Sequence, residues 1–548
     1  MKIDGLRRLK TKNLVIILLL SVPFVCFGQT KYFEISQNSD IYNAVLRELE
    51  LNYVDSLPHK KMTETAINSM LKLLDPYTVF IPKSDKNALT MMTTGMYGGI
   101  GAIIMQKDGE IVIAEPHEGM PAQRSGLKAG DILVQINGVK LKGKSVSEAS
   151  SKLRGIPSTE VRLKVKRPGE KKTFEKVVVR EAIKIEPVSY YGTLSDSIGY
   201  ISFREFTAKS ANSFKNALSE LIQQHHINKL IIDLRDNGGG LVNEAIEIAS
   251  LFVPKRSLIV SLKGKIKEAN KVYKTVSEPL YPEMPLLILV NEESASASEI
   301  LAGALQDMDR AVIVGKRTFG KGLVQNVRML PHESYLKVTT AKYYTPSGRC
   351  LQAINYTGDR KKTPDNLTSE FKTLHGRTVR DGGGITPDTT LTDDEKINIS
   401  YYLFTKNIIF DYATQYAASH PTIATPDTFR LSNGEYQQFV DYVIDRDFTY
   451  QLESNKYLQD LRKMIRIEGY EASTDSILNQ LTDLLKPDIQ KDLQLFRKDI
   501  TFMLESEIVK RYYFQKGEAE YRLRGDKWVK DALKIIKDRD KMTAILRP

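Results

Sequence analysis

The sequence predicts a multidomain α/β protein, and three textures along it support that prediction. Strand-like apolar runs alternate with helical ones from Ile198 to roughly Pro346, glycine-punctuated β-rich runs precede them from Tyr97, and helical apolar spacing dominates towards both ends. At 548 residues the chain is too long for one hydrophobic core, so several domains are expected.

Taken in order, the first 28 residues pair a basic start, MKIDGLRRLKTKN, with the apolar run LVIILLLSVPFVCFG. Leu14 to Phe27 is 14 residues, short of the about 20 that a spanning helix needs. The pattern is that of a cleaved secretory leader, with Cys26 and Gly28 as the small residues before the cut. Residence in the periplasm or cell envelope follows as an expectation. From 29 to 95, IYNAVLRELELNYV and MTETAINSMLKLL have helical spacing and are followed by the turn former LDPY, which predicts a small helical domain.

From Tyr97 to 182 the runs YGGIGAIIM, EIVIAEP, GLKAGDILVQINGV, EVRLKVKRPG and FEKVVVR read as strands, with SVSEASSKL as a helix between them. YGGIGA resembles the carboxylate-binding loop of a PDZ domain, and SGLKAGDILVQINGV resembles that family's most recognisable segment. The resemblance implies that an extended chain end is added here as a strand, with Tyr97, Gly98, Gly99, Ile100 and Gly101 forming the substrate-binding loop.

Between 183 and 390, IGYISF, SANSFKNALSELIQQ, KLIIDLR, LVNEAIEIASLF, PLLILV, SASEILAGALQDM and AVIVG alternate strand and helix, as a layered α/β domain with crossovers does. DLRDNGGG lacks the GKS or GKT ending of a phosphate loop, which argues against nucleotide binding. From 391 to 548 the chain is polar and helical without a catalytic pattern, and a packing or partner-binding domain is expected.

Bulk composition excludes several classes. Net charge falls from +12 to +8 once residues 1 to 28 are set aside, and the remaining Lys and Arg are spread over all segments rather than clustered among aromatics, so no nucleic acid is expected. Beyond the leader only Cys350 remains, which rules out an intramolecular disulfide. Seven scattered histidines and no Cys/His spacing predict no metal and no cofactor.

The stretch NEESASASEI at 291 to 300 places Ser294, Ser296 and Ser298 where a strand turns into a helix. A serine needs a base to become a nucleophile. His225, His226 and His332 lie in polar helix-end or loop contexts that a solvated role explains as well. Lys321 in TFGKGLVQN, flanked by Gly320 and Gly322 with no adjacent acid, suits a buried neutral lysine and a solvated one equally.

SASASE at 294 to 299, AGALQD at 302 to 307 and TFGKGLVQ at 318 to 325 resemble the signature of the carboxyl-terminal processing peptidases, also called tail-specific proteases. The similarity runs from the PDZ segment through DLRDNGGG to YYTPSGR and GGGITPD, roughly residues 40 to 390. It implies a ClpP/crotonase-like α/β protease core with an inserted PDZ domain. It also implies Ser296 as nucleophile, Lys321 as base and Gln325 orienting the lysine, with Ser294 and Ser298 as turn and helix-start residues. Ala297 N–H and a glycine N–H, from Gly239 or Gly240, are the oxyanion donors to expect. Glu299 is read as a first-turn acid complementing the helix dipole and bonding nearby backbone or Arg, and Arg235 and Asn237 as shaping the glycine loop. Residues 355 to 381 and the helical tail depart from the simplest family pattern.

The expected activity is that of an exported serine endopeptidase acting on proteins or peptides with free carboxyl termini. The alternative is a non-catalytic PDZ-bearing scaffold or chaperone on a degenerate protease fold. Such a fold should have lost Ser296, Lys321 or Gln325, and all three are present. A homodimer through the N-terminal helices, a lipoprotein-type adaptor, peripheral membrane association and a gating role for the PDZ domain are left open.

Overall fold

The structure is a computed structural model that describes residues 29–195, 197–356, 361–392 and 397–547. The leader expected at 1–28 lies outside the described residues. Helices Gln29–Asn52 and His59–Leu71 belong to a unit of their own that ends at Leu73.

The second unit starts at Leu74. Residues 74–95, grouped in the sequence with the N-terminal helices, belong to it instead. Val79–Ile81 is a strand paired antiparallel with Ser334–Tyr344, and a 3-10 turn at Lys83–Asp85 leads into the α-helix Lys86–Thr94. Pro82, directly after the three apolar residues, keeps its predecessor extended and favours a short strand over a helix there.

The main sheet has six strands in the order Val188–Ser195, Ile198–Phe203, Lys229–Asp233, Leu286–Val290, Ala311–Gly315 and Thr389–Thr390. The first pair is antiparallel and the rest are parallel. Parallel neighbours need crossovers, and helices Ser210–His225, Val242–Ala249 and Ala297–Asp307 lie in them. The strands read as unbroken apolar runs because both faces of the sheet are buried. Ile232, Ile288, Val290 and Ile313 share a core with Phe214, Leu218 and Leu301 of the crossover helices. Ile231, Leu287, Leu289, Val312 and Val314 point the other way, onto Trp528, Val529, Ala532, Ile535 and Ile536 of helix Lys527–Lys537.

A second, antiparallel sheet orders Val79–Ile81, Ser334–Tyr344, Leu258–Gly264 and Lys271–Lys274, with Leu323–Leu330 also paired to Ser334–Tyr344. In the β-rich region, Met96–Gly99 pairs with Glu181–Lys184. Between them, strands Ala102–Lys107, Glu110–Pro116, Ile132–Ile136, Glu160–Lys166 and Phe174–Val179 form a sheet around Ile111, Ile113, Leu133 and Val161. Ala102–Lys107 is its terminal strand, and helix Val146–Leu153 packs beside it.

Beyond Asn398, helices enclose a core rich in aromatic rings, among them Tyr412, Tyr436 and Phe439. The β-rich domain meets these helices through the ion pairs Lys107–Asp411 at 2.9 Å and Lys510–Glu115 at 3.3 Å.

Candidate active site

The parallel strands end at one edge of the main sheet, where an open α/β fold builds its sites. Lys229–Asp233 runs into DLRDNGGG, and Leu286–Val290 runs into NEESASAS and then helix Ala297–Asp307. These loops separate the three serines. Ser294 is fully buried, with Oγ donating to Leu234 O at 2.7 Å and accepting from Asn291 N at 2.9 Å. Ser298 is buried too, and its Oγ donates to Asn237 O at 2.8 Å. Ser296 is half-buried, and its Oγ proton goes to no acceptor among the described residues. Its backbone sits at φ 58° and ψ −111°, a conformation that costs an L-residue energy and holds the side chain at the mouth of the helix.

Glu299, 0% exposed, is the hub of the site. Its Oε2 accepts from Ser296 N and Lys321 N, both at 2.9 Å, and its Oε1 accepts from Thr318 Oγ1 at 2.6 Å and Gly320 N at 2.8 Å. One oxygen therefore ties the backbones of Ser296 and Lys321 to a single point. Burial pushes this carboxyl up to about 7, opposed by the four donors. The sequence gives Glu299 to the helix dipole and to nearby backbone or Arg, and backbone donors do meet it, but nothing in the spacing shows that a loop some twenty residues on returns to it.

Lys321 follows Gly320, whose φ is 85°, and precedes strand Leu323–Leu330. Its Nζ lies 4.6 Å from the centroid of the Tyr77 ring. Burial, then the neighbouring Lys337 ammonium, push Lys321 down to about 8, against the pull of Glu299 and Asp75. Gln325 stands opposite Thr339 in the strand register and donates to Thr339 Oγ1 at 3.1 Å. Among the described residues neither Gln325 nor Ser296 Oγ is hydrogen-bonded to Lys321 Nζ.

The glycine loop comes up against the serine. A Cβ on Gly239, at φ 95°, would lie 2.5 Å from Ala295 O and 2.7 Å from Ala297 N, so only glycine allows this approach. Gly239 N–H is turned to Asn237 Oδ1 at 2.9 Å, whereas Gly240 packs against Phe206 O and its N–H has no partner among the described residues. Ala297 N–H opens the helix directly after Ser296. Asn237 also donates to Phe203 O at 2.7 Å, and Arg235 is clasped by Asp233 and by Asp526 at 2.7 Å. Both side chains brace the loop.

In the β-rich domain, Tyr97, Gly98 and Gly99 lie in strand Met96–Gly99, with the Arg154 guanidinium 5.0 Å above the Tyr97 ring. A Cβ on Gly98 would meet Gly155 O at 1.9 Å. Ile100 is buried, and the N–H groups of Ile100 and Gly101 have no partner among the described residues. They sit at the head of the terminal strand, with helix Val146–Leu153 alongside. The sequence reading missed the turn at 75–78 as part of the site. Its LDPY signal announces a turn, but not that the turn lands beside Lys321.

Residues 197–361 match the family model described as Peptidase family S41, 112–167 that of the PDZ domain, and 399–536 that described as "Probable PDZ-protease, C-terminal helical domain". A carboxy-terminal-processing protease of Bartonella bacilliformis is 34% identical over 334 residues, 60% of this chain and 75% of that protein. A "Probable CtpA-like serine protease" of Staphylococcus aureus is 35% identical over 309 residues, 56% of this chain and 61% of that one. Among solved structures, a photosystem II D1 C-terminal processing protease is 30% identical, covering 63% of this chain and 86% of its own, with a TM-score of 0.37.

Proposed function

Because the chain belongs to peptidase family S41 and contains a PDZ domain, we propose that it is an exported endopeptidase of the periplasm or cell envelope. In this reading it takes free carboxyl-terminal tails in the PDZ groove and cuts them by a Ser296–Lys321 mechanism. The observation that carries the proposal is the sorting of the three serines. Ser294 and Ser298 spend their hydroxyl protons on buried carbonyls, while Ser296 keeps its own at a helix start beside a lysine held down to about 8.

In the mechanism, neutral Lys321 takes the Ser296 proton as Oγ bonds to the peptide carbonyl carbon. Ala297 N–H and a glycine-loop N–H, from Gly239 or Gly240, receive the developing oxyanion. The lysine ammonium then hands its proton to the departing amine, leaving an acyl-serine. A water that loses its proton to Lys321 attacks that ester, the bond from the acyl carbon to Oγ breaks, and Lys321 returns the proton to Ser296 Oγ. In the first step Nζ must come within hydrogen-bonding reach of Oγ, and Gln325, whose Nε2 donates to Thr339, can orient the lysine through its Oε1. Such tightening on substrate binding is common, since catalytic hydrogen bonds are often long or unmade in the free enzyme. The unpaired Ile100 and Gly101 N–H groups support a carboxylate seat, and the unpaired edge of Ala102–Lys107 supports strand addition of the tail. Among the described residues no helix is long and apolar enough to cross a membrane.

The test is cleavage, by residues 29–548, of a peptide with a free apolar carboxyl end and of its amidated twin, with Ser296→Ala alongside. Preference for the free end and loss of at least about 10,000-fold in kcat/KM in the variant are expected. Undiminished cutting by Ser296→Ala would remove the nucleophile assignment. Binding of the free tail without any cutting would favour the scaffold reading.

A further inference from the structure

Lys321 Nζ has an unusual seat. Two carboxylates face it, Asp75 and Glu299, and both are already engaged by neutral donors. Asp75 Oδ1 accepts from Tyr77 N at 2.9 Å, Thr78 N at 2.8 Å and Thr339 Oγ1 at 3.1 Å, and Oδ2 accepts from Thr78 Oγ1 at 3.0 Å. Glu299 is filled by Ser296 N, Lys321 N, Gly320 N and Thr318 Oγ1. Neither acid makes an ion pair with the lysine. What lies against Nζ is the half-buried Tyr77 ring, with the Tyr356 ring set edge-on to it, centroids 6.0 Å apart at 86°. Burial and the nearby Tyr356 hydroxyl raise the Tyr77 phenol above its usual range, so the ring is a neutral face and not a counter-ion.

The turn at 75–78 that carries the ring is tied down by hydrogen bonds. Asp75 closes an Asx-type turn on its own backbone and, through Thr339 Oγ1, binds the strand that faces Gln325. A chain of hydrogen bonds thus runs from the turn through Thr339 to Gln325, while the ring reaches Lys321.

We propose that this turn is a positioning device for the general base: Asp75 fixes Tyr77 so that its ring seats Lys321 Nζ and keeps water from it. The inference rests on Lys321 being the base. Tyr77 acts through the lysine and not on substrate. A ring over the amine disfavours the ammonium by excluding water and favours it by cation–π attraction. Burial is the leading cause of the lowered lysine here, with Lys337 adding to it and Glu299 and Asp75 opposing, so removing the ring should raise the midpoint.

The experiment reads the lysine directly, on the Ser296→Ala background so that turnover plays no part. The rate at which an N-hydroxysuccinimide ester acylates Lys321, followed by mass spectrometry of the peptide containing it, is measured against pH, since only the neutral amine reacts. The background protein is expected to titrate near 8, and Tyr77→Phe, which keeps the ring, to retain that midpoint. Tyr77→Ala is expected to move it up by about one unit, an about tenfold loss of neutral amine at pH 7. A midpoint that stays or falls in Tyr77→Ala overturns the proposal, as does a rise in Tyr77→Phe equal to that in Tyr77→Ala. If Tyr77→Ala melts before it can be titrated, Tyr77→Leu takes its place. A smaller rise is expected there, and an unmoved midpoint is equally fatal. Should the parent show no Ser296-dependent cleavage, the proposed function fails, while the titration still reports on the seat.

Discussion

Among the described residues a serine three residues before a glutamate occurs at three helix starts, and only one of these frees a hydroxyl. Ser145 Oγ donates to Glu148 at 3.0 Å and Ser432 Oγ to Glu435 at 2.6 Å, so each exposed pair closes on itself. At Ser296 the glutamate is drawn instead to Thr318, Gly320 and Lys321, and the serine proton is left over. The three patterns read alike in sequence because what separates them is a loop from elsewhere in the chain. Resemblance to a family, not spacing, singled out Ser296. Glu299→Gln tests the hub. An amide nitrogen in place of one oxygen would face backbone donors, leaving one or two of them unpaired, at a cost of about 2–4 kcal/mol. Denaturant unfolding should show that loss, and peptide cleavage should fall at least about tenfold as the serine and lysine loops part. The base gives a pH prediction. If Lys321 is that base, as proposed, it must be neutral to act, so kcat/KM should be low well below pH 8 and rise through about 8. Lys337→Met removes a positive charge that disfavours the Lys321 ammonium, so its midpoint should move to higher pH, lowering kcat/KM at pH 7 by roughly two- to fivefold. A midpoint unchanged or displaced to lower pH would contradict this.

Among the elements, the buried parallel strands were the most legible, because runs such as LLILV and AVIVG have only one stable home, between two covered faces. The strand Val79–Ile81 was hidden because three residues have no measurable period, and its pairing with Ser334–Tyr344 is decided far along the chain. Contacts between elements were not readable either. Glu115 and Lys107 read in the sequence as polar strand residues, and nothing local names their partners on the C-terminal helices. Glu115 is 4% exposed and both its carboxylate oxygens lack hydrogen-bond donors, so Lys510 is its compensation. Lys510→Met should therefore strand a buried carboxylate, at about 3–5 kcal/mol. The cheapest relief is for the PDZ domain to leave the helices before anything unfolds. Hydrogen exchange along Glu110–Pro116 and on the facing part of Arg497–Gly525 should then rise together, with exchange in the main sheet unchanged. If the PDZ domain gates the site, the same variant should raise the cleavage rate of short peptides, and an unaltered rate alongside faster exchange would argue against gating.

For the whole molecule, the polar helical tail is two things that its composition does not tell apart. Helices Glu453–Glu468 and Glu471–Leu484 bury only Leu458 and Leu478, whereas Lys527–Lys537 buries Trp528, Val529, Ala532, Ile535 and Ile536 at helical spacing. That stripe is visible in the sequence, but its partner is not: it covers Ile231, Leu287, Leu289, Val312 and Val314, more than 200 residues earlier in the chain. The last helices are thus one layer of the protease core, and Asp526 joins them to the glycine loop through Arg235. Burying each large apolar side chain is worth about 1.5–3 kcal/mol, so the stripe and the sheet face beneath it together match or exceed the roughly 5–15 kcal/mol by which a domain is ordinarily stable. A chain ending at residue 526 should therefore fail to form the main sheet and be recovered as aggregate. Replacing 453–484 by a short flexible linker should leave a soluble protein with its melting temperature little changed. Size-exclusion chromatography and thermal melting of the two truncations decide it, because a soluble, cooperatively melting 1–526 chain would mean that the sheet does not need its second cover.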